Sequence, residues 1–253
     1  MRDFEGKVAI VTGASRRIGA ATALEFGRRG ASVAVTYLTN QERAEKVGAE
    51  VEKAGGKALV LRTDVRDRQA IRGLVEETVN KFGGVDILVN NARIVHPRKS
   101  FLDMDWDQDM WPMIQVHFAA AFHSCQAAVP HMIKRGGGAI LNVLSASFRR
   151  GEAELHAYAA AKSALRSFTL TLAADLGPQG IRVNSVAPGV VETEEFKTRR
   201  NEEQRRQVVM GTPLRRIGAP EDIAAAIVFL CSDRAGYITG ADIVIAGGRD
   251  NPF

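Results

Sequence analysis

Short, nearly unbroken apolar runs alternate along the chain with longer segments of helical period. The runs are Lys7–Val11, Ser32–Thr36, Ala58–Leu61, Val85–Val89, Ala139–Leu144, Arg182–Val186 and Asp242–Ile245. Most lack the polar alternation of a strand with one wet face, which is the pattern of strands covered on both sides. Strand and helix in turn predict an α/β fold: one doubly wound parallel sheet of about seven strands, with helices on both faces and right-handed crossovers. Glycines at Gly30, Gly55-Gly56, Gly83-Gly84, Gly136-Gly137-Gly138 and Gly177 fall where left-handed residues would end the helices before the next strand. The segment from His156 to Gly177 reads as one helix. The helix around Ala119–Val129 is apolar almost all round, as is the face carrying Ala157, Ala160, Ala161 and Ala164. Such helices need cover on more than one side, and a subunit interface would supply it.

At 253 residues the chain fits a single α/β domain, with no internal repeat or low-complexity linker to divide it. Its net charge of +5 is small for this length and spread out, which argues against a nucleic-acid partner. No apolar stretch approaches the roughly 20 residues that span a bilayer, and the charged N-terminus has no signal-peptide core, so a cytoplasmic protein is expected. Cys125 and Cys231 sit in apolar helical patterns and read as buried thiols, neither a bridge nor part of a metal site.

Two motifs carry candidate chemistry. Tyr158 and Lys162 lie four apart on the predicted helix, so phenol and ammonium share a face. A neighbouring cation favours phenolate and would bring the tyrosine pKa down toward working pH. Ser145, at the end of Ile140-Leu141-Asn142-Val143-Leu144-Ser145, is a candidate donor to a substrate oxygen. On spacing alone the pair is also what a solvated helix face carries. At the other end of the chain, Val8-Ala9-Ile10-Val11 runs into Thr12-Gly13-Ala14-Ser15-Arg16-Arg17-Ile18-Gly19 and then a helix. A strand feeding a glycine turn and a helix start forms an anion site, because free backbone N–H groups and the helix dipole face the ligand.

Taken with Asp64-Val65, Asn90-Asn91-Ala92, Asn184 to Gly189 and Thr193, these pieces in this order resemble the short-chain dehydrogenase/reductase superfamily from about Lys7 to Gly248. The branch that looks most similar is the 3-oxoacyl-carrier-protein reductases. The resemblance implies a Rossmann-type domain over residues 1–253. It further implies a homodimer or homotetramer built through the two apolar helices, and a small carbonyl substrate, free or linked to a carrier or coenzyme A. By the same resemblance Tyr158 is the general acid of carbonyl reduction and the base of alcohol oxidation, Ser145 polarises the carbonyl, and Lys162 holds the nicotinamide ribose. His117 falls in the slot usually filled by an asparagine that anchors a relay water. It reads either as a relay or as a histidine packed in a helix.

For the cofactor, the resemblance assigns the turn to Gly13, Ser15, Ile18 and Gly19, the adenine to Asp64 and Val65, the ribose side to Asn91 and Ala92, and the nicotinamide to Pro188, Gly189, Val191 and Thr193. Asp64 also reads as an N-terminal cap for a helix over Arg66–Phe82, and Asn91 as a support of the sheet. Tyr37 is a further candidate cofactor contact; beyond it no acid precedes Glu42, while Arg16 and Arg17 offer two cations. An acid there selects a free ribose hydroxyl and cations select a 2′-phosphate, so NADPH/NADP is expected over NADH. The alternative is that both arginines are solvated surface charges. Two positions that the family fills with glycine are Arg17 and Arg93; Arg93 would either crowd the cofactor or add a contact to phosphate or substrate. Arg93, Ser147, Phe148, Arg149, Val190 and Phe196 are candidate pocket walls, and the charged stretch 194–212 is a candidate lid. Two rival functions are an NADP-dependent secondary-alcohol dehydrogenase in specialised biosynthesis and a nucleotide-binding scaffold without turnover.

Overall fold

A computed structural model describes residues 2–95, 98–149, 151–193, 196, 198 and 200–249. Seven parallel strands form one sheet: β1 Val8–Val11, β2 Ser32–Tyr37, β3 Lys57–Arg62, β4 Ile87–Asn90, β5 Gly138–Val143, β6 Ile181–Pro188 and β7 Asp242–Ile245. Their order across the sheet is β3-β2-β1-β4-β5-β6-β7. The main helices are α1 Arg17–Arg28, α2 Gln41–Lys53, α3 Arg68–Phe82, α4 Trp111–Ile114, α5 Ala120–Lys134, α6 His156–Leu176, α7 Glu202–Met210 and α8 Pro220–Cys231. Two π-helical turns, Trp106–Met110 and Gln115–Ala119, flank α4 and make one nearly continuous rod leading into α5.

Successive strand residues point to opposite faces, and here both faces are dry. Ala9, Val11, Val33, Val35, Ile87, Val89, Leu141 and Val143 enter one core with Phe26 of α1, Val51 of α2 and Ile223 and Ile227 of α8. The intervening Ile10, Ala34, Leu88 and Ile140 enter the other, with Leu74 of α3, Cys125 and Met132 of α5 and Ala173 of α6. Both cysteines are free and buried. Burial of the thiols pushes both pKa values up to about 12. No helix among the described residues is long and apolar enough to cross a membrane.

Each of the seven expected runs became a strand, with ends moved by a residue or two. β6 runs two residues further than expected, to Pro188, and β4 begins two residues later, at Ile87. Asp86 ahead of it turns its carboxylate to the Val8 amide at 2.8 Å and to Arg135 at 2.9 Å. One expectation fails locally. Gly177 is right-handed (φ −52°) because α6 passes into a 3₁₀ turn, and the left-handed residue that ends that turn is Gly180 (φ 73°). The apolar helix expected around Ala119–Val129 is α5, which runs on through Pro130 to Lys134, with only the proline's own amide donor missing.

The sheet grows from β1 toward β2 and β3 in one direction and toward β4 in the other. The crevice outside the carboxyl ends of β1 and β4 is therefore the switch point at which such sheets bind ligands. It receives Thr12-Gly13 from β1 and Asn90-Asn91-Ala92 from β4.

Candidate active site

At that switch point the loops enclose a cleft of about 650 Å³. It is lined by every expected site residue except His117: the 13–19 turn, Tyr37, Asp64 and Val65, Asn91 and Ala92, Ser145, Tyr158, Lys162, and Pro188, Gly189, Val191 and Thr193.

The nucleotide end is shaped by two glycines and a threonine. Gly13 is left-handed (φ +63°), and a Cβ there would stand 2.9 Å from Ala92 Cα. Its amide donates to Thr36 Oγ1 at 3.0 Å. Gly19 is packed harder, since a Cβ would meet Gly13 O at 2.5 Å and Asn91 Nδ2 at 2.6 Å. This is the close helix-to-strand approach that only glycine permits. Thr12 Oγ1 accepts the amides of Asn91 and Ala92 at 2.9 and 3.0 Å, while Asn91 Nδ2 donates to the carbonyls of Thr12 and Gly13. Asn91 thus ties β4 to β1, as the supporting reading expects.

Arg16 is extended ahead of α1, and Arg17, the first helical residue, is left-handed (φ 56°). A side chain there strains the backbone where glycine would not. Arg16 and Arg17 line the cleft with Arg43 and residues 36–40. Arg43 was not anticipated; the Asn40 side chain accepts its amide at 2.8 Å and caps α2, which brings the arginine to the rim.

Asp64 does not cap a helix. Asp67 does, accepting the Gln69 amide at 2.8 Å, so α3 starts at Arg68 instead of Arg66. Asp64 faces the cleft with Arg66 folded onto it at 2.6 Å. That hydrogen-bonded guanidinium holds its carboxyl below the usual carboxylate range.

The reacting end assembles from β5 and α6. Beyond Val143 the chain leaves the sheet at Leu144 and Ser145, and Ser145 Oγ lies 2.8 Å from Ser147 Oγ and hydrogen-bonds to Tyr158. Tyr158 occupies the first turn of α6. Lys162, one turn on, is buried and donates to Val143 O at 2.6 Å, with Nζ 5.9 Å from the Tyr158 ring centre. Burial, then the charge of Arg93, pushes Lys162 down to about 7. Burial pushes Tyr158 up, outweighing the Ser145 hydrogen bond and the Arg93 charge that pull it down. The expected cation-driven drop of the Tyr158 pKa is therefore absent in the free protein: the ammonium turns to a carbonyl, and both groups are biased to their neutral forms.

His117 lies behind the cleft, in the π-helical turn, with its ring edge-to-face on Tyr158 at 5.2 Å and 84°. It is buried and bounds a cavity of about 10 Å³ with Lys162, Ser124 and Asn90, a space about the size of one water. Of the other expected walls, Arg93 and Phe196 line the cleft. Ser147 instead holds Ser145, and Val190 spends its carbonyl on the Gly218 amide at 3.1 Å. The side chains of Phe148 and Arg149 lie outside the described part. Of the candidate lid, residues 194, 195, 197 and 199 do too; the remainder includes α7, started by an Asn201–Gln204 capping box.

A family model described as enoyl-(acyl carrier protein) reductase matches residues 13–250. An L-rhamnose 1-dehydrogenase (NAD(P)+) of a Sphingomonas species is 40% identical over 251 residues, covering 98% of each chain. A 3-oxoacyl-[acyl-carrier-protein] reductase of Staphylococcus aureus is 36% identical, covering 96% of this chain and 97% of that one. Among solved structures, a 7α-hydroxysteroid dehydrogenase complexed with NADH and 7-oxoglycochenodeoxycholic acid superposes with a TM-score of 0.92 at 36% identity, covering 98% of this chain and 96% of that one.

Proposed function

The chain belongs to the short-chain dehydrogenase/reductase superfamily, oxidoreductases of carbonyl and hydroxyl groups, and from that premise we propose that it reduces a ketone or 3-oxoacyl group with NADPH. The observation that carries this reading is the union in one cleft of Ser145, Tyr158 and Lys162 with Arg16, Arg17 and Arg43. The left-handed Gly13, the tight Gly19 and the open start of α1 suit a pyrophosphate. Three guanidiniums near residues 36–40, where the one carboxylate among the described lining residues, Asp64, is already paired with Arg66, suit a ribose 2′-phosphate.

When bound, the nicotinamide supplies the hydride. The residues of this chain hold the carbonyl and provide the proton. Ser145 Oγ and the Tyr158 hydroxyl together grip the carbonyl oxygen, and Tyr158 delivers its phenolic proton as that oxygen gains charge. The raised Tyr158 pKa keeps the phenol protonated at neutral pH, which suits a proton donor in reduction better than a base in oxidation. Lys162 holds ribose hydroxyls and, titrating near 7, is suited to passing a proton back to Tyr158. The charged 194–212 stretch closes over substrate, and the apolar faces of α5 and α6, where Phe122, Ile133 and Leu170 are exposed, pair two or four copies.

Fluorescence titration with NADPH and NADH tests the cofactor reading, with Arg16 and Arg17 each replaced by Gly or Glu. NADPH affinity should fall much further than NADH affinity; equal losses would refute it. Tyr158→Phe should abolish ketone reduction while NADPH still binds, and retained turnover would end the Tyr158 assignment.

A further inference from the structure

The charge balance of the cleft leaves one cation unanswered. Among the described lining residues there are seven arginines and Lys162 against a single carboxylate, Asp64. Arg66 occupies Asp64, and Arg98 is paired with Glu152. Arg200 lies over the Phe196 ring at 5.1 Å. On the NADPH reading, on which this inference rests, Arg16, Arg17 and Arg43 face phosphate. Arg93 remains. It follows Asn91-Ala92 on the loop leaving β4, is exposed, lines the cleft with Ser145, Tyr158 and Lys162, and makes no hydrogen bond or ion pair with any described residue.

Ile94, the next residue, packs with Tyr158 against Met113, Ala157 and Ala161, which sets Arg93 beside the reacting groups, and its charge bears on both Tyr158 and Lys162. Beside Asp64, which Arg66 holds, no carboxylate is among the described lining residues to offset Arg93 and the protonated form of Lys162. An incoming anion would relieve their repulsion and complete the guanidinium's hydrogen bonding, for which a planar carboxylate fits two donors at once.

We propose that Arg93 is the substrate's carboxylate receptor and that the substrate is an oxo acid, its carbonyl held by Ser145 and Tyr158. Substitution at a position the family fills with glycine thus sets specificity, and it does so without left-handed strain, because Arg93 is not among the residues of positive φ.

Acetoacetate and ethyl acetoacetate, which share the ketone and differ in the anion, test this by calorimetric titration. Each is titrated into the free protein and into the protein saturated with NADP+, which has no hydride to give. The parent, Arg93→Ala and Arg93→Lys are compared, with thermal unfolding to verify the fold of each. In the parent the acid should bind at least about tenfold more tightly than the ester. That advantage should vanish in Arg93→Ala and return in part in Arg93→Lys, which restores charge without the fork. A parent that binds the ester as well as the acid overturns the proposal, as does an Arg93→Ala that keeps the preference. A variant that loses NADPH affinity instead of acid preference also overturns it, by making Arg93 a cofactor ligand. If the parent binds no NADPH, the NADPH reading fails by itself, and the titrations into free protein still decide the role of Arg93.

Discussion

Replacing Lys162 with methionine should make the free protein more stable in mild acid and leave it about as stable as the parent in alkali. Lys162 titrates at 10.5 in an open chain and at about 7 in its buried site. Between those values the unfolded chain binds more protons than the folded one, so the stability of the parent rises with pH across the window; the full cost of the buried ammonium is present below about pH 7. At about 1.36 kcal/mol per pH unit the cost is about 5 kcal/mol below pH 7 and falls to roughly 1 kcal/mol near pH 10. Methionine keeps the stem and removes the titration, but it leaves Val143 O without the donor it now has at 2.6 Å, a loss of about 1–2 kcal/mol at every pH. The difference between variant and parent should therefore change by about 4 kcal/mol from near pH 6.5 to near pH 10, in favour of the variant at the acid end. Urea unfolding at fixed protein concentration, followed by far-UV circular dichroism across that range, measures it, and the other titrating groups cancel in the difference. A difference independent of pH, or one that favours the parent increasingly toward acid, would refute the buried-cation reasoning.

Three further outcomes follow from the site. Gly19→Ala should destabilise by about 2–3 kcal/mol, because its Cβ would meet a carbonyl at 2.5 Å and an amide nitrogen at 2.6 Å; thermal unfolding unchanged from the parent would mean that α1 can slide. Arg17→Gly should leave stability unchanged or raise it by up to about 1 kcal/mol, left-handed strain relieved being set against glycine's extra freedom when unfolded, while weakening NADPH. A clear loss of stability would show that the side chain supports the fold. His117→Asn should shift the pH–rate profile of ketone reduction, since the ring lies against Tyr158 and shares a water-sized cavity with Lys162; superimposable profiles would confine His117 to packing.

The strands were legible because parallel strands buried on both faces have no polar face to display, so most of the seven appear as nearly continuous apolar runs. What failed was local and competitive. Asp64 and Asp67 are both plausible caps, and the choice between them depends on Arg66 folding onto Asp64, a contact between side chains that spacing does not encode. Gly177 and Gly180 both sit near a helix end; the 3₁₀ turn moves the left-handed residue three positions along. The candidate residues, His117 apart, were legible as the lining of one cleft, yet the sign of the Tyr158 shift was not. Spacing on a helix gives proximity of phenol and ammonium, but the balance between charge and burial depends on how closely the surrounding elements pack and on where the Lys162 ammonium turns.

Three non-glycine residues among those described are left-handed: Arg17, Glu154 and Arg215. Only Arg17 lines the cleft. Backbone strain of this kind costs on the order of 1 kcal/mol and persists where the surroundings fix it, commonly at ligand clamps. Arg93 and His117, the other departures from the family pattern, carry no such cost: one adopts ordinary backbone and the other packs in a helical rod. The chain therefore tolerates strain at the single departure placed beside the residue 36–40 rim, where glycine is the relaxed choice and a guanidinium adds nothing to the core. A strained cation at an anion-binding helix start is the arrangement expected if binding a phosphate offsets its cost. Of the two departures by arginine, it is Arg17 whose affinity for NADPH should carry the larger share of stability in the bound protein.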